Sequence, residues 1–157
     1  MSTFLKYLLG LILSVFFIFS CKESKQEGLN LNAEKIKLMD TDRAFSNMSA
    51  DKGMKTAFIE YIDSNGVLLK PGHSPIVGAN AIDYLIQQND TSYILTWQPH
   101  NAVVSSTADL GYTYGICAFE SKVADTILYG TYVRIWKKQQ DGKWKFVLDS
   151  GNEGIDQ

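Results

Sequence analysis

Between Ala108 and Gly151 the chain reads ADLGYTYGICAFESKVADTILYGTYVRIWKKQQDGKWKFVLDSG, three alternating runs separated by polar turns. From Tyr112 to Phe119 one face carries Tyr112, Tyr114, Ile116 and Ala118, and the other Thr113, Gly115, Cys117 and Phe119. Both faces are largely apolar, as in a strand covered on two sides. Leu128 to Trp136 behaves alike, with Leu128, Tyr132 and Trp136 opposite Tyr129, Val133 and Ile135. Asp141-Gly142 then supplies the positive φ of a tight hairpin turn. From Lys143 to Asp149, Trp144, Phe146 and Leu148 alternate with Lys143, Lys145, Val147 and Asp149. Such a pattern dictates a meander of long antiparallel strands.

The N-terminus follows different rules. After Lys6, Tyr7 to Phe19 is an uncharged, mostly apolar run, and Ser20 precedes Cys21. A membrane-spanning helix needs about 20 apolar residues, so this run is short for a span and suits a signal peptide. The pattern resembles the lipobox of bacterial lipoproteins, with Phe19 bulkier than the usual residue. That resemblance implies acylation at Cys21, an envelope location and membrane anchorage, at the outer membrane or its periplasmic face in a Gram-negative host. The expected division is a lipoprotein signal peptide over 1–20, a lipidated tether over 21–31 and one domain over 32–157. Lys22 to Leu29 is polar and aperiodic, as a tether requires.

The net charge of −2 leaves no electrostatic footprint for nucleic acid. With Cys21 assigned to lipid, Cys117 is the one cysteine left, so neither an intrachain disulfide nor a cysteine metal site is available. Mid-strand among apolar residues, Cys117 reads as a small buried hydrophobe. No metal and no cofactor is expected.

Helices precede the strands. Asn30 or Asn32 can cap a helix running to about Met48, with Ile36, Met39, Ala44, Phe45 and Met48 inward and Glu34, Lys35, Lys37, Asp42 and Arg43 polar. Ser49 to Gly53 interrupts it. A second helix spans about Met54 to Ile62 and is closed by Asp63-Ser64-Asn65-Gly66 as a turn. Val67 to Leu69 forms a short strand, Pro71 to Pro75 a rigid loop, and Gly78 to Gln88 a third helix. Strands then take over at Tyr93 to Trp97 and, beyond Pro99-His100, at Ala102 to Val104. Helices first and a meander last make an α+β domain, a curved sheet with helices across one face.

On the order AFIEYIDSNGVLLKPGHSPIVGANAI, W-x-P, DLGYTYG and GTYVRIWKKQQDGKWKFVLD, the chain resembles the SnoaL-like, ketosteroid-isomerase-like branch of the nuclear transport factor 2-like superfamily. The match covers about Asn32 to Asp149. It implies a cone-shaped, curved antiparallel sheet with N-terminal helices on its concave face, an internal pocket, and homodimers through the sheet.

Aromatic rings with a polar tip suit such a pocket, and Tyr61, Trp97, Tyr112, Tyr114, Tyr132 and Trp136 are the pocket-lining candidates. Tyr112 and Tyr114 face ligand if their face is concave and a dimer contact if it is convex. Relatives of isomerase type use a carboxylate base with a Tyr and a protonated Asp, a constellation that does not map onto this chain position by position. The carboxylates weighed are Asp40, Asp42, Asp109 and Asp149. Asp40 and Asp42 point different ways on one helix, and Asp109 reads as a solvated cap. Asp149 and His73 remain weak candidates for a base, and His100 is a second loop imidazole. Three classes of function follow. One is a lipid-anchored pocket for a small hydrophobic or amphipathic molecule, another an isomerase, cyclase or hydrolase, and the third a dimerisation or protein-interaction module.

Overall fold

In the computed structural model, which describes residues 29–155, three helices pack against a six-stranded sheet. In chain order the elements are α1 (Leu31–Lys52), α2 (Met54–Tyr61), β1 (Ile62–Leu69), β2 (Ile76–Val77), α3 (Ala79–Gln87), β3 (Tyr93–Val104), β4 (Leu110–Ser121), β5 (Thr126–Lys138) and β6 (Trp144–Glu153). Sheet order is β2-β1-β6-β5-β4-β3. The expected signal peptide, Cys21 and most of the expected tether lie outside the described residues. Among the described residues no helix is long and apolar enough to cross a membrane.

Asn30 caps α1, its side-chain oxygen accepting from the Ala33 backbone N–H at 3.1 Å. The helix runs past the expected break at Ser49, because that hydroxyl donates to the Leu95 carbonyl at 2.6 Å and pins the last turns of α1 to β3. Gly53, at φ +88°, ends it. A Cβ there would come within 2.7 Å of the Asp90 carboxylate, which instead accepts from the Lys55 backbone N–H and caps α2 from across the chain.

Three strand expectations change. Asp63-Ser64-Asn65-Gly66 is not a closing turn but an irregular part of β1, where the register against β6 shifts between Ile62 and Val67. Because β1 and β6 run parallel, the sheet is mixed and only its remaining pairs are antiparallel. The two runs around Pro99-His100 are one strand, β3, with a bulge between Pro99 and Asn101 where proline has no N–H for the ladder. The meander β4-β5-β6 is present as expected, and in its last turn only Gly142 takes positive φ, at +84°.

The helices lie on the concave face. Phe45 of α1 is fully buried at the centre, with ring centroids 4.7 Å from Tyr61, 4.5 Å from Trp97 and 5.6 Å from Phe146. Full burial of such a ring stabilises the fold by about 1.5–3 kcal/mol, and favourable aromatic pairs add about 0.5–1.5 kcal/mol. The inward stripe of α1 is Glu34, Leu38, Asp42, Phe45, Ser46 and Ser49, so the helix is rotated from the expected phase and Ile36 faces solvent.

Candidate functional site

A second rotation of phase creates the site. Trp136 pairs with Phe146 but Ile135 pairs with Leu148, so β6 carries an extra residue at Val147. One inserted residue reverses the side-chain alternation beyond it. Asp149, expected opposite Trp144 and Phe146, therefore joins them inside and is only 3% exposed. On β5 the inward residues are Tyr132, Arg134 and Trp136.

Arg134 joins two carboxylates. Its Nε donates to Asp149 Oδ1 at 2.7 Å and its Nη1 to Asp42 Oδ1 at 3.0 Å. Asp42, fully buried, also accepts from Trp97 Nε1 at 2.7 Å and, through Oδ2, from the Tyr132 hydroxyl at 2.7 Å. Lys70 completes the cluster with Nζ 2.9 Å from Asp149 Oδ2. The Arg134 guanidinium carbon lies 4.0 Å from the Trp97 ring centroid and 4.7 Å from that of Phe45. Aromatic faces thus surround the cation where carboxylates do not.

Burial alone would raise the Asp149 carboxyl, but Arg134 and Lys70 outweigh it and hold it below the ordinary carboxylate range. Burial would likewise lower the Arg134 pKa; Asp149 and Asp42 reverse that and keep it charged. Tyr132 is shifted strongly upward, by burial first and by the Asp42 anion next, so its hydroxyl stays a donor. These groups form a charge-compensated cluster in which Asp42 holds Arg134 and Arg134 holds Asp149.

The cluster is the floor of a cavity of about 310 Å³. Lys70, Arg134 and Asp149 line it together with Met54, Phe58, Leu85, Tyr93, Leu95, Trp97, Cys117, Phe119, Leu128 and Tyr132. Lys70 is brought there by the turn that ends β1, in which the His73 N–H bonds back to the Lys70 carbonyl at 3.1 Å and Gly72 takes φ +77°. Apart from the cluster the walls are mostly aromatic and aliphatic. Toward the β4–β5 hairpin Phe119 and Leu128 are paired across the strands and only partly covered, leaving an apolar mouth. Cys117 is half-buried on the wall, and burial pushes its thiol up.

The aromatic candidates separate into four places. Trp97 and Tyr132 line the cavity. Tyr61 lies on a different, open groove with Trp144 and Lys145. Trp136 is fully buried, its indole N–H donating to Thr113 Oγ1 at 2.8 Å. Tyr112 and Tyr114 project from the outer, convex face at about 40% exposure. Of the base candidates, Asp149 reaches the cavity and His73 does not; His73 is exposed, with its ring 5.5 Å from that of Tyr84. His100 is on the outer face beside Tyr114. Asp40 forms an exposed pair with Arg43, and Asp109 is held below its usual pKa by the Thr107 and Ser105 hydroxyls in a surface turn. Among the described residues no three His, Cys, Asp or Glu side chains converge as metal ligands.

The sequence reading missed Arg134 and Lys70 as site residues, and set Asp42 aside as a polar-face residue pointing away from Asp40. Two signals were available. Asp42 falls on the stripe Leu38, Asp42, Phe45, Ser49, and Arg134 stands in the inward phase between Tyr132 and Trp136. A charged residue in a buried phase between aromatics has to meet an opposite charge.

No protein-family profile matches the chain, and no curated protein matches it. Solved structures do. A ketosteroid isomerase-like protein from Erwinia carotovora atroseptica aligns with TM-score 0.58 and 13% identity over 74% of this chain and 94% of that one. A nuclear transport factor 2-like superfamily protein from Salmonella enterica serovar Typhimurium aligns with TM-score 0.59 and 11% identity over 81% and 95%. An LEH-like epoxide hydrolase from M. tuberculosis aligns with TM-score 0.54 and 13% identity over 77% and 85%.

Proposed function

We propose that this chain, which has the fold of the nuclear transport factor 2-like superfamily, is a small-molecule-binding protein whose ligand sits in the cavity above Lys70, Arg134 and Asp149. One observation carries the reading: an apolar cavity of about 310 Å³ ends on a polar floor whose carboxylates are already compensated. Asp42 spends its oxygens on Trp97, Tyr132 and Arg134, and Asp149 on Arg134 and Lys70. A carboxylate held by two cations is a weak base, whereas a fixed polar floor under apolar walls orients an amphipathic molecule. Mass spectrometry of small molecules released from protein purified without stripping tests this. An amphipathic compound that is lost when Leu95→Trp fills the cavity supports the reading, and a cavity that retains nothing and binds no added hydrophobe sinks it.

A second reading is enzymatic. Asp149 lines the cavity beside Lys70 and Arg134, and one similar fold belongs to an epoxide hydrolase. In that reading Asp149 accepts a proton from water while Lys70 polarises the substrate oxygen. Turnover of a small epoxide that disappears in Asp149→Asn would favour it over binding alone.

The proposed setting is the bacterial cell envelope, with the protein held by lipid on Cys21. The apolar run ending at Cys21 supports this. Cys21→Ser should move the protein from the membrane to the soluble fraction, and unchanged fractionation would remove the anchor from the proposal. The proposed partner is a second copy bound through the convex face, where Val103, Tyr112, Tyr114, Ile116 and Val133 are exposed.

A further inference from the structure

Resting on the binding reading above, the charges that face the cavity narrow the class of ligand. Two cations that line the cavity, Lys70 and Arg134, stand against Asp149, which lines it with them, and Asp42, fully buried beneath Arg134, so the cluster under the cavity is formally neutral. Each of these charges is within 3.0 Å of an opposite one. Glu153, on the exposed rim, adds a negative charge at the mouth. No positive charge is left over for an anion.

Hydrogen-bond donors are left over. Lys70 has three N–H groups and gives one to Asp149, the ammonium also lying 5.4 Å from the Phe58 ring centroid. Arg134 uses Nε and Nη1, and its Nη2 makes no hydrogen bond to a described residue. The walls above these donors, from Phe58 and Leu95 out to Phe119 and Leu128, are apolar.

We propose that the cavity selects an uncharged, hydrogen-bond-accepting head group, such as a ketone, ester or epoxide oxygen, on an apolar body, and rejects the carboxylate of the same chain length. A neutral oxygen takes the spare donors of Lys70 and Arg134 and leaves the floor neutral. A carboxylate makes the same bonds but brings a buried negative charge with no counter-ion, besides passing Glu153 at the rim. The apolar body lies against Phe119 and Leu128 and accounts for their incomplete cover by protein.

The test is calorimetric titration of the full-length protein with decan-2-one and with decanoate at neutral pH. The ketone is expected to bind at least tenfold tighter. Asp149→Asn gives the floor a net positive charge and should shift the ketone-to-decanoate affinity ratio at least tenfold toward decanoate. Should that variant fail to fold by circular dichroism, Glu153→Gln at the exposed rim takes its place, with an expected shift of about threefold in the same direction. Decanoate binding as tightly as the ketone, or a ratio unmoved in the folded variant, overturns the selectivity and leaves the binding reading standing. If neither probe binds and nothing co-purifies, the binding reading falls and this inference with it.

Discussion

The two faces of the sheet carry the same kinds of residue and use them in opposite ways. On the concave face Trp97, Tyr132 and Trp136 are buried, and each N–H or O–H has a named acceptor in Asp42 or Thr113. On the convex face Tyr112 and Tyr114 are about 40% exposed, beside Val103, Ile116 and Val133. Tyr112 and Tyr132 both sit in tyrosine-rich strands of the same meander. What distinguishes them is whether a helix lies above them, because removal from water makes an unpartnered polar tip costly and exposure does not; on the covered face the buried Trp144 Nε1 is the exception, with no partner among the described residues.

The largest test of that contrast removes a partner from the covered face. Asp42→Ala leaves Arg134 buried with one carboxylate and frees the tips of Trp97 and Tyr132. A loss of about 3–5 kcal/mol in urea unfolding is expected. A loss under about 1 kcal/mol would mean that water reaches the cluster. Gly130→Val comes next. A Cβ at Gly130 would meet the Asn152 carbonyl oxygen at 2.1 Å, so β5 and β6 must move apart beside the cavity, at a cost of about 1–3 kcal/mol. An unchanged melting temperature would show that the strands yield freely there.

Acid should act through the same covered cluster. The folded pKa of Asp149 is depressed, so its contribution to stability is present above the unfolded carboxyl value of about 4. That contribution is lost as pH falls from there through the folded value. Thermal melts from pH 7 to pH 2 should show the decline in the wild type and a shallower one in Asp149→Asn; parallel curves would assign acid sensitivity to other carboxylates. The smallest expected effect on folding belongs to the open face. Tyr112→Ser combined with Tyr114→Ser should change monomer stability by no more than about 1 kcal/mol, since neither ring is buried. The same pair should shift sedimentation toward monomer if the convex face joins two copies, and an unaltered sedimentation profile would move the proposed dimer contact elsewhere.

Much of the architecture was legible. Period-two runs and the Asp141-Gly142 turn identify β4, β5 and β6, and the change to helical spacing before Tyr93 places the helices first. Boundaries were less legible where tertiary contacts extend an element. Ser49 reads as a helix breaker but spends its hydroxyl on β3, and Asp63-Ser64-Asn65-Gly66 reads as a turn but falls within β1, between Ile62, paired with β6, and Val67-Leu68, paired with β6 and β2. The site was the least legible part, because both of its carboxylates depend on phase. Asp42 required the rotation of α1, and Asp149 required a one-residue bulge that no local pattern announces.

By itself, the sequence determined the order of elements, the meander and the supply of aromatic side chains with polar tips. Alternation, turn chemistry and composition act between near neighbours, so a linear reading suffices for them. Only the tertiary structure decided which face of the sheet is covered, that Asp42 and Asp149 share Arg134, and that Lys70 closes the cluster. Those contacts join residues 15, 79 and 92 positions apart, and they depend on register and helix rotation, which packing sets once the chain has closed on itself.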